Sequence, residues 1–112
     1  PKEIKPQENR IGLTPDSVKI LTSNNHTVLV ENNGGFEAGF DNNQYEKAGA
    51  KIVNKPEDIF NDSEIIVKVK EPLSKEIKMI CLIKNFQQVL ILNLMILLLS
   101  YSLLVLPMIR KA

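Results

Sequence analysis

The strongest constraint on how this chain can fold is a break in its composition near Glu76. All thirteen acidic residues, all five glycines and the only histidine, His26, fall within residues 1–76, while residues 77–112 contain no Asp, Glu, Gly, Thr or His. Basic residues continue past the break as Lys78, Lys84, Arg110 and Lys111, so the front part stands at −3 (10 basic, 13 acidic) and the tail at +4, together the net +1. Two unlike stretches need two explanations. Residues 1–76 have the mixed polarity of a folding unit, whereas residues 77–112 form a Leu/Ile-rich string. A length of 112 residues allows one small domain with a modest core, and two complete catalytic domains do not fit.

Charge narrows the function classes. The 24% of charged residues carry both signs, which argues against a nucleic-acid or polyanion partner. The single cysteine, Cys81, cannot form an internal disulfide, so a reducing compartment, the cytoplasm, is expected. With Ile80 and Leu82 beside it and no neighbouring His, Cys81 reads as an inert thiol. The start, Pro1-Lys2-Glu3, has no initiator Met and no basic segment leading into an apolar core, so a cut or processed start without a secretory signal is expected. No metal ligand is assigned.

The front part reads as alternating helices and strands. Thr14-Pro15-Asp16 combines a hydroxyl N-cap, a proline at the first helical position and an acid in the first turn. A helix over residues 15–22 follows, with Val18 and Leu21 on its inner face and Ser23-Asn24-Asn25 as its stop. The β-branched run at 26–31 predicts a strand, and Asn32-Asn33-Gly34-Gly35 predicts a turn. Asp41 caps a helix through Tyr45 and Ala48 that stops at Gly49; 50–53 is a strand, 56–60 a helix and 64–70 a strand. The order αβαβαβ argues for a parallel sheet flanked by helices, and such sheets bind ligands beyond the C-terminal ends of their strands, where Lys70 falls.

Three separated segments, Pro1-Lys2-Glu3-Ile4-Lys5, Glu8-Asn9-Arg10-Ile11-Gly12-Leu13-Thr14-Pro15 and Lys68-Val69-Lys70-Glu71-Pro72, resemble in order and spacing the N-terminal, substrate-side domain of alanine dehydrogenase. Ala48-Gly49-Ala50 before a short strand and the Asn25-His26-Thr27-Val28 run fit as well, and the resemblance covers about residues 1–76. The related transhydrogenase α-subunit shares the Arg-x-x-x-Thr-Pro segment but usually lacks the second Lys and the Glu of Lys-Val-Lys-Glu-Pro, which favours alanine dehydrogenase. The resemblance implies interconversion of L-alanine with pyruvate and ammonia using NAD, a substrate cleft between two α/β domains and a homo-oligomer. It also implies roles for two residues. Arg10 aligns with the arginine that holds the substrate carboxylate, a task suited to a planar guanidinium with two parallel donors. Lys70 aligns with the lysine on the substrate carbonyl side, where a cation favours negative charge developing on oxygen. Lys68 shares a strand face with Lys70 if the strand is regular and is the weaker candidate.

Departures from the pattern bear on activity. The family carries an acid–base histidine in a Thr-aromatic-aliphatic-His run after Lys-x-Lys-Glu-Pro, yet no histidine follows His26, which reads as a polar strand-edge residue. No catalytic residue is therefore assigned. No Gly-x-Gly-x-x-Gly fingerprint occurs either; Gly34, Gly35 and Gly39 read as a turn, so the NAD-binding domain is expected elsewhere, on a separate chain if the protein is half of a split pair. The family's first strand, which leads into Pro-Lys-Glu, is also missing before Pro1, so the sheet is expected to be incomplete. Such a sheet with an apolar tail predicts poor foldability.

The tail admits three readings. Residues 89–106 are interrupted only by Asn93, Ser100 and Ser102, and no charge lies between Lys84 and Arg110, which qualifies the stretch as a membrane-helix candidate and the protein as membrane-associated. A buried core helix is the second reading, although about 76 residues give little cover for it. A reading-frame change is the third, and the simultaneous loss of acids, Gly, Thr and His favours it. The expectation is thus a fragment of an alanine dehydrogenase that carries part of the pyruvate/alanine-binding site and is inactive alone, with a small carboxylate-binding module without turnover, or a membrane-associated protein through residues 89–106, as the alternatives.

Overall fold

The computed structural model describes residues 1–83 and 90–93. Helix α1 (Pro15–Ser23) starts as its sequence dictates: Thr14 is extended, its Oγ1 accepts from the Ser17 N–H at 3.3 Å, and Pro15 occupies the first turn, where no amide partner is needed. Val18 is wholly buried on its inner face. Strand β1 (Leu29–Glu31) is shorter than the predicted 26–31, in part because the His26 N–H is used to close the end of α1, donating to the Leu21 carbonyl at 3.1 Å. A 3-10 turn at Phe36–Ala38 leads to α2 (Asn42–Lys47), which Asp41 and Gln44 cap reciprocally.

Strand β2 (Lys51–Val53) then pairs parallel to β1, with Leu29 opposite Lys51 and Glu31 opposite Val53. Between α1, α2 and this pair sits the core of Val18, Val28, Val30, Tyr45 and Ala50. Tyr45 is fully buried, and its hydroxyl donates to the Leu13 carbonyl at 2.8 Å, which satisfies the polar end of the ring. Gly35 is required by this ring: a Cβ there would stand 2.6 Å from the Tyr45 oxygen. Thr22 Oγ1 donates to the Ala48 carbonyl at 2.6 Å and ties α1 to the end of α2.

Helix α3 (Pro56–Asp62) buries Ile59 and Phe60 and runs two residues past the predicted 56–60. Strand β3 (Ile65–Lys68) ends two residues before the predicted limit at Lys70. The cause is a distant side chain: the Glu3 carboxylate accepts from the Val69 N–H at 2.6 Å and the Lys70 N–H at 3.3 Å, removing both donors from any ladder. Helix α4 (Ser74–Ile83) crosses the composition break at Glu76, and β4 (Leu90–Asn93) pairs parallel to β3, with Ile66 opposite Ile91. Neither α4 nor β4 was expected from the sequence. Cys81 lies on α4.

The α/β class is as expected, but the sheet is divided into two parallel pairs, β1-β2 and β3-β4. A cavity of about 1060 Å³ is lined by residues of β1, β2 and β3, together with Pro1 and the Ile11–Leu13 loop. No described segment hydrogen-bonds both pairs into one sheet. Of the membrane-helix candidate at 89–106, residues Leu90–Asn93 form a strand and the remainder lies outside the described residues. Among the described residues no helix is long and apolar enough to cross a membrane.

Candidate functional site

The site assembles where the loop before α1 meets the end of β3. Gly12 allows that approach, because a Cβ at this position would lie 2.8 Å from the Val67 carbonyl oxygen. Lys5 forms an ion pair with Glu71, which joins the first segment of the chain to the stretch after β3. The Lys5 ammonium holds the Glu71 carboxyl below its ordinary range.

Arg10 presents its guanidinium edge to a single carboxylate. Its Nε–H donates to Glu8 Oε1 at 2.8 Å and its Nη2 to Glu8 Oε2 at 2.8 Å, while the Arg10 backbone N–H reaches Oε1 at 3.1 Å. This two-pronged geometry is the one a guanidinium offers to any carboxylate. The Arg10 side chain is 58% exposed, so an incoming anion can reach it, whereas that of Glu8 is 6% exposed. The hydrogen bonds from Arg10 hold the Glu8 carboxyl down from 4.5 to about 2, and the charge of Lys70 contributes to the same shift. Residues separated by some sixty positions in sequence thus bring positive charge to bear on one carboxylate.

The two lysines of the Lys-Val-Lys-Glu-Pro segment differ sharply. Lys68 is 1% exposed and points inward, its Nζ donating to Glu3 Oε2 at 3.1 Å and to Glu76 Oε1 at 2.9 Å. Glu3 and Glu76 are buried with it, forming an internal acid–base–acid triad. Lys70, half-buried beyond the end of β3, makes no side-chain hydrogen bond or ion pair among the described residues. The β3 alternation explains the split, since Ile66 and Lys68 share the buried face and the strand ends before the pattern reaches Lys70.

None of Glu3, Glu8 and Glu76 was named as a site residue from the sequence. Glu76 did carry a signal, being the third residue of α4 with its Oε2 accepting the Leu73 N–H at 2.8 Å. His26 is exposed and stands at the end of α1, as a structural residue would. Gly34, Gly35 and Gly39 belong to the turn around the 3-10 segment, with Gly35 packed on Tyr45. Among the described residues no group of His, Cys, Asp and Glu could hold a metal ion.

The family model described as "Alanine dehydrogenase/PNT, N-terminal domain" matches residues 1–94. The chain belongs to this family. It is 53% identical over 76 residues to an alanine dehydrogenase of Bacillus subtilis, covering 68% of this chain and 20% of that protein. An alanine dehydrogenase of Staphylococcus haemolyticus is 47% identical over 78 residues, covering 70% of this chain and 21% of that protein. Among solved structures, an L-alanine dehydrogenase superposes with a TM-score of 0.67 at 46% identity, over 70% of this chain and 21% of that one. A transhydrogenase from Sinorhizobium meliloti gives 0.65 at 33% identity, over 70% and 22%. The chain therefore spans about a fifth of the length of the alanine dehydrogenases it matches. The family model itself reaches past the composition break, as α4 and β4 do.

Proposed function

We propose that this chain is the substrate-side portion of an alanine dehydrogenase, in which Arg10 and Lys70 hold the carboxylate and carbonyl side of pyruvate or L-alanine. The observation that carries this reading is the Glu8 carboxylate, gripped by both prongs of Arg10. A ligand carboxylate has the same shape and charge as the group Arg10 already binds. Lys70, with no internal side-chain partner among the described residues, is left to meet a ligand oxygen.

In the complete reaction, L-alanine, NAD and water give pyruvate, ammonia and NADH. NAD supplies hydride acceptance, and neither a glycine fingerprint for it nor a histidine after His26 occurs in these 112 residues. Substrate binding without turnover is the expected behaviour of the chain alone. The Leu/Ile-rich composition of residues 77–112 is read as a change of reading frame, a reading against which the family match through residue 94 counts. If neither alternative frame of the gene encodes a Thr-aromatic-His run followed by a glycine fingerprint, that part of the proposal is wrong.

Calorimetric titration with pyruvate tests the binding site. Saturable millimolar binding is expected, weakened at least tenfold by Arg10→Met or Lys70→Met, with no alanine-dependent NADH formation by the chain alone. Binding that both substitutions leave intact would refute the assignment.

A further inference from the structure

We propose that Glu3 is a positioning residue for ligand binding, acting through Lys70; this rests on the reading that Lys70 contacts the ligand. The Glu3 carboxylate does three things at once. Its Oε1 accepts from the Val69 N–H at 2.6 Å and from the Lys70 N–H at 3.3 Å, while its Oε2 accepts from the Lys68 ammonium at 3.1 Å. Three consecutive residues at the end of β3 are therefore held by one side chain from the start of the chain.

The geometry separates anchoring from presentation. Lys68 is locked inward by Glu3 and Glu76, and the Leu73 N–H is held by Glu76 Oε2 at 2.8 Å, so the segment 68–73 is pinned at both ends. Lys70 lies on the pinned stretch, with its own backbone N–H in the grip of Glu3. Strand pairing cannot supply this restraint, because β3 ends at Lys68. A lysine at the end of a free strand would spread its ammonium over many positions, whereas a backbone fixed at residues 69 and 70 limits where Nζ can go. Ligand binding then requires less ordering of Lys70.

The test is a double-mutant cycle on the full chain, with pyruvate as the probe and its dissociation constant as the readout. Glu3→Gln is expected to weaken pyruvate about tenfold in the wild-type background and less than twofold when Lys70→Met is already present. Glu3→Asp, which keeps a charge opposite Lys68 but draws the carboxylate back from Val69, is the second variant and is expected to couple to Lys70 in the same way. A purely structural role predicts instead that each Glu3 substitution weakens binding by the same factor with or without Lys70. That additive result, in either variant, overturns the positioning role alone. No pyruvate binding by the unsubstituted chain, or no loss on Lys70→Met, overturns the binding assignment on which it rests.

Discussion

Replacing Lys68 by Met should be among the most damaging single substitutions in the protein. Lys68 is 1% exposed and its ammonium is the cation shared by Glu3 and Glu76, which are 6% and 2% exposed. Met fills similar space but leaves two buried carboxylates facing each other with no counter-charge. Breaking a buried ion pair in this way costs about 3–5 kcal/mol, a large share of the roughly 5–15 kcal/mol that a domain has in total. At about 4 °C per kcal/mol for a domain of this size, Tm should fall by roughly 12–20 °C, or the chain should fail to fold cooperatively. Thermal unfolding followed by circular dichroism measures the effect. The triple substitution Lys68→Met, Glu3→Gln, Glu76→Gln should recover much of the loss, because the cost lies in the stranded charges rather than in the missing attraction. A Lys68→Met protein whose Tm drops by less than about 4 °C would refute this account of the triad.

Two further outcomes follow from the geometry. Gly35→Ala would set a methyl 2.6 Å from the Tyr45 oxygen in the closed core, and overpacking of that kind should cost about 1–3 kcal/mol, read as a lowered urea midpoint with an unchanged m-value. The Glu8 carboxyl is depressed from 4.5 to about 2 by Arg10, so its contribution to stability is fully present above about pH 4.5 and is lost as pH falls toward 2. Stability measured from pH 5 to 2 should decline less steeply in Glu8→Gln than in the wild type; identical slopes would show that the Glu8–Arg10 pair is not maintained in solution.

Local chemistry made much of the fold legible. Thr14-Pro15-Asp16 marked the start of α1 and Asp41 that of α2, since capping is settled within a few residues. The β-branched run ending at Glu31 marked β1, although the sequence could not reveal that the His26 N–H would turn back to the Leu21 carbonyl. The end of β3 was not legible for a stronger reason. It is decided by Glu3, a side chain sixty-six residues from Val69 in sequence, and no local pattern carries that information. The same holds for Lys68, which read as the weaker substrate-binding candidate until Glu3 and Glu76 were seen to close over it. Helix α4 was hidden by the composition break: Glu76 belongs to its first turn while the apolar residues that follow looked like a different kind of sequence. Arg10 and Lys70 were readable as a pair only through the order of the segments that carry them. Their shared influence on Glu8 needed the fold.

The central claim is that Arg10 and Lys70 form a receptor for a small carboxylate. It is tested most directly by nitrogen-15 NMR of the Arg10 Nε–H and the Lys70 amide during titration with pyruvate and, separately, with its uncharged amide analogue. Saturable shifts at both residues with pyruvate, and none with the amide, are predicted, since the carboxylate must replace Glu8 on the guanidinium. Equal shifts with both compounds, or shifts with pyruvate that spare Arg10 and Lys70, would contradict the account.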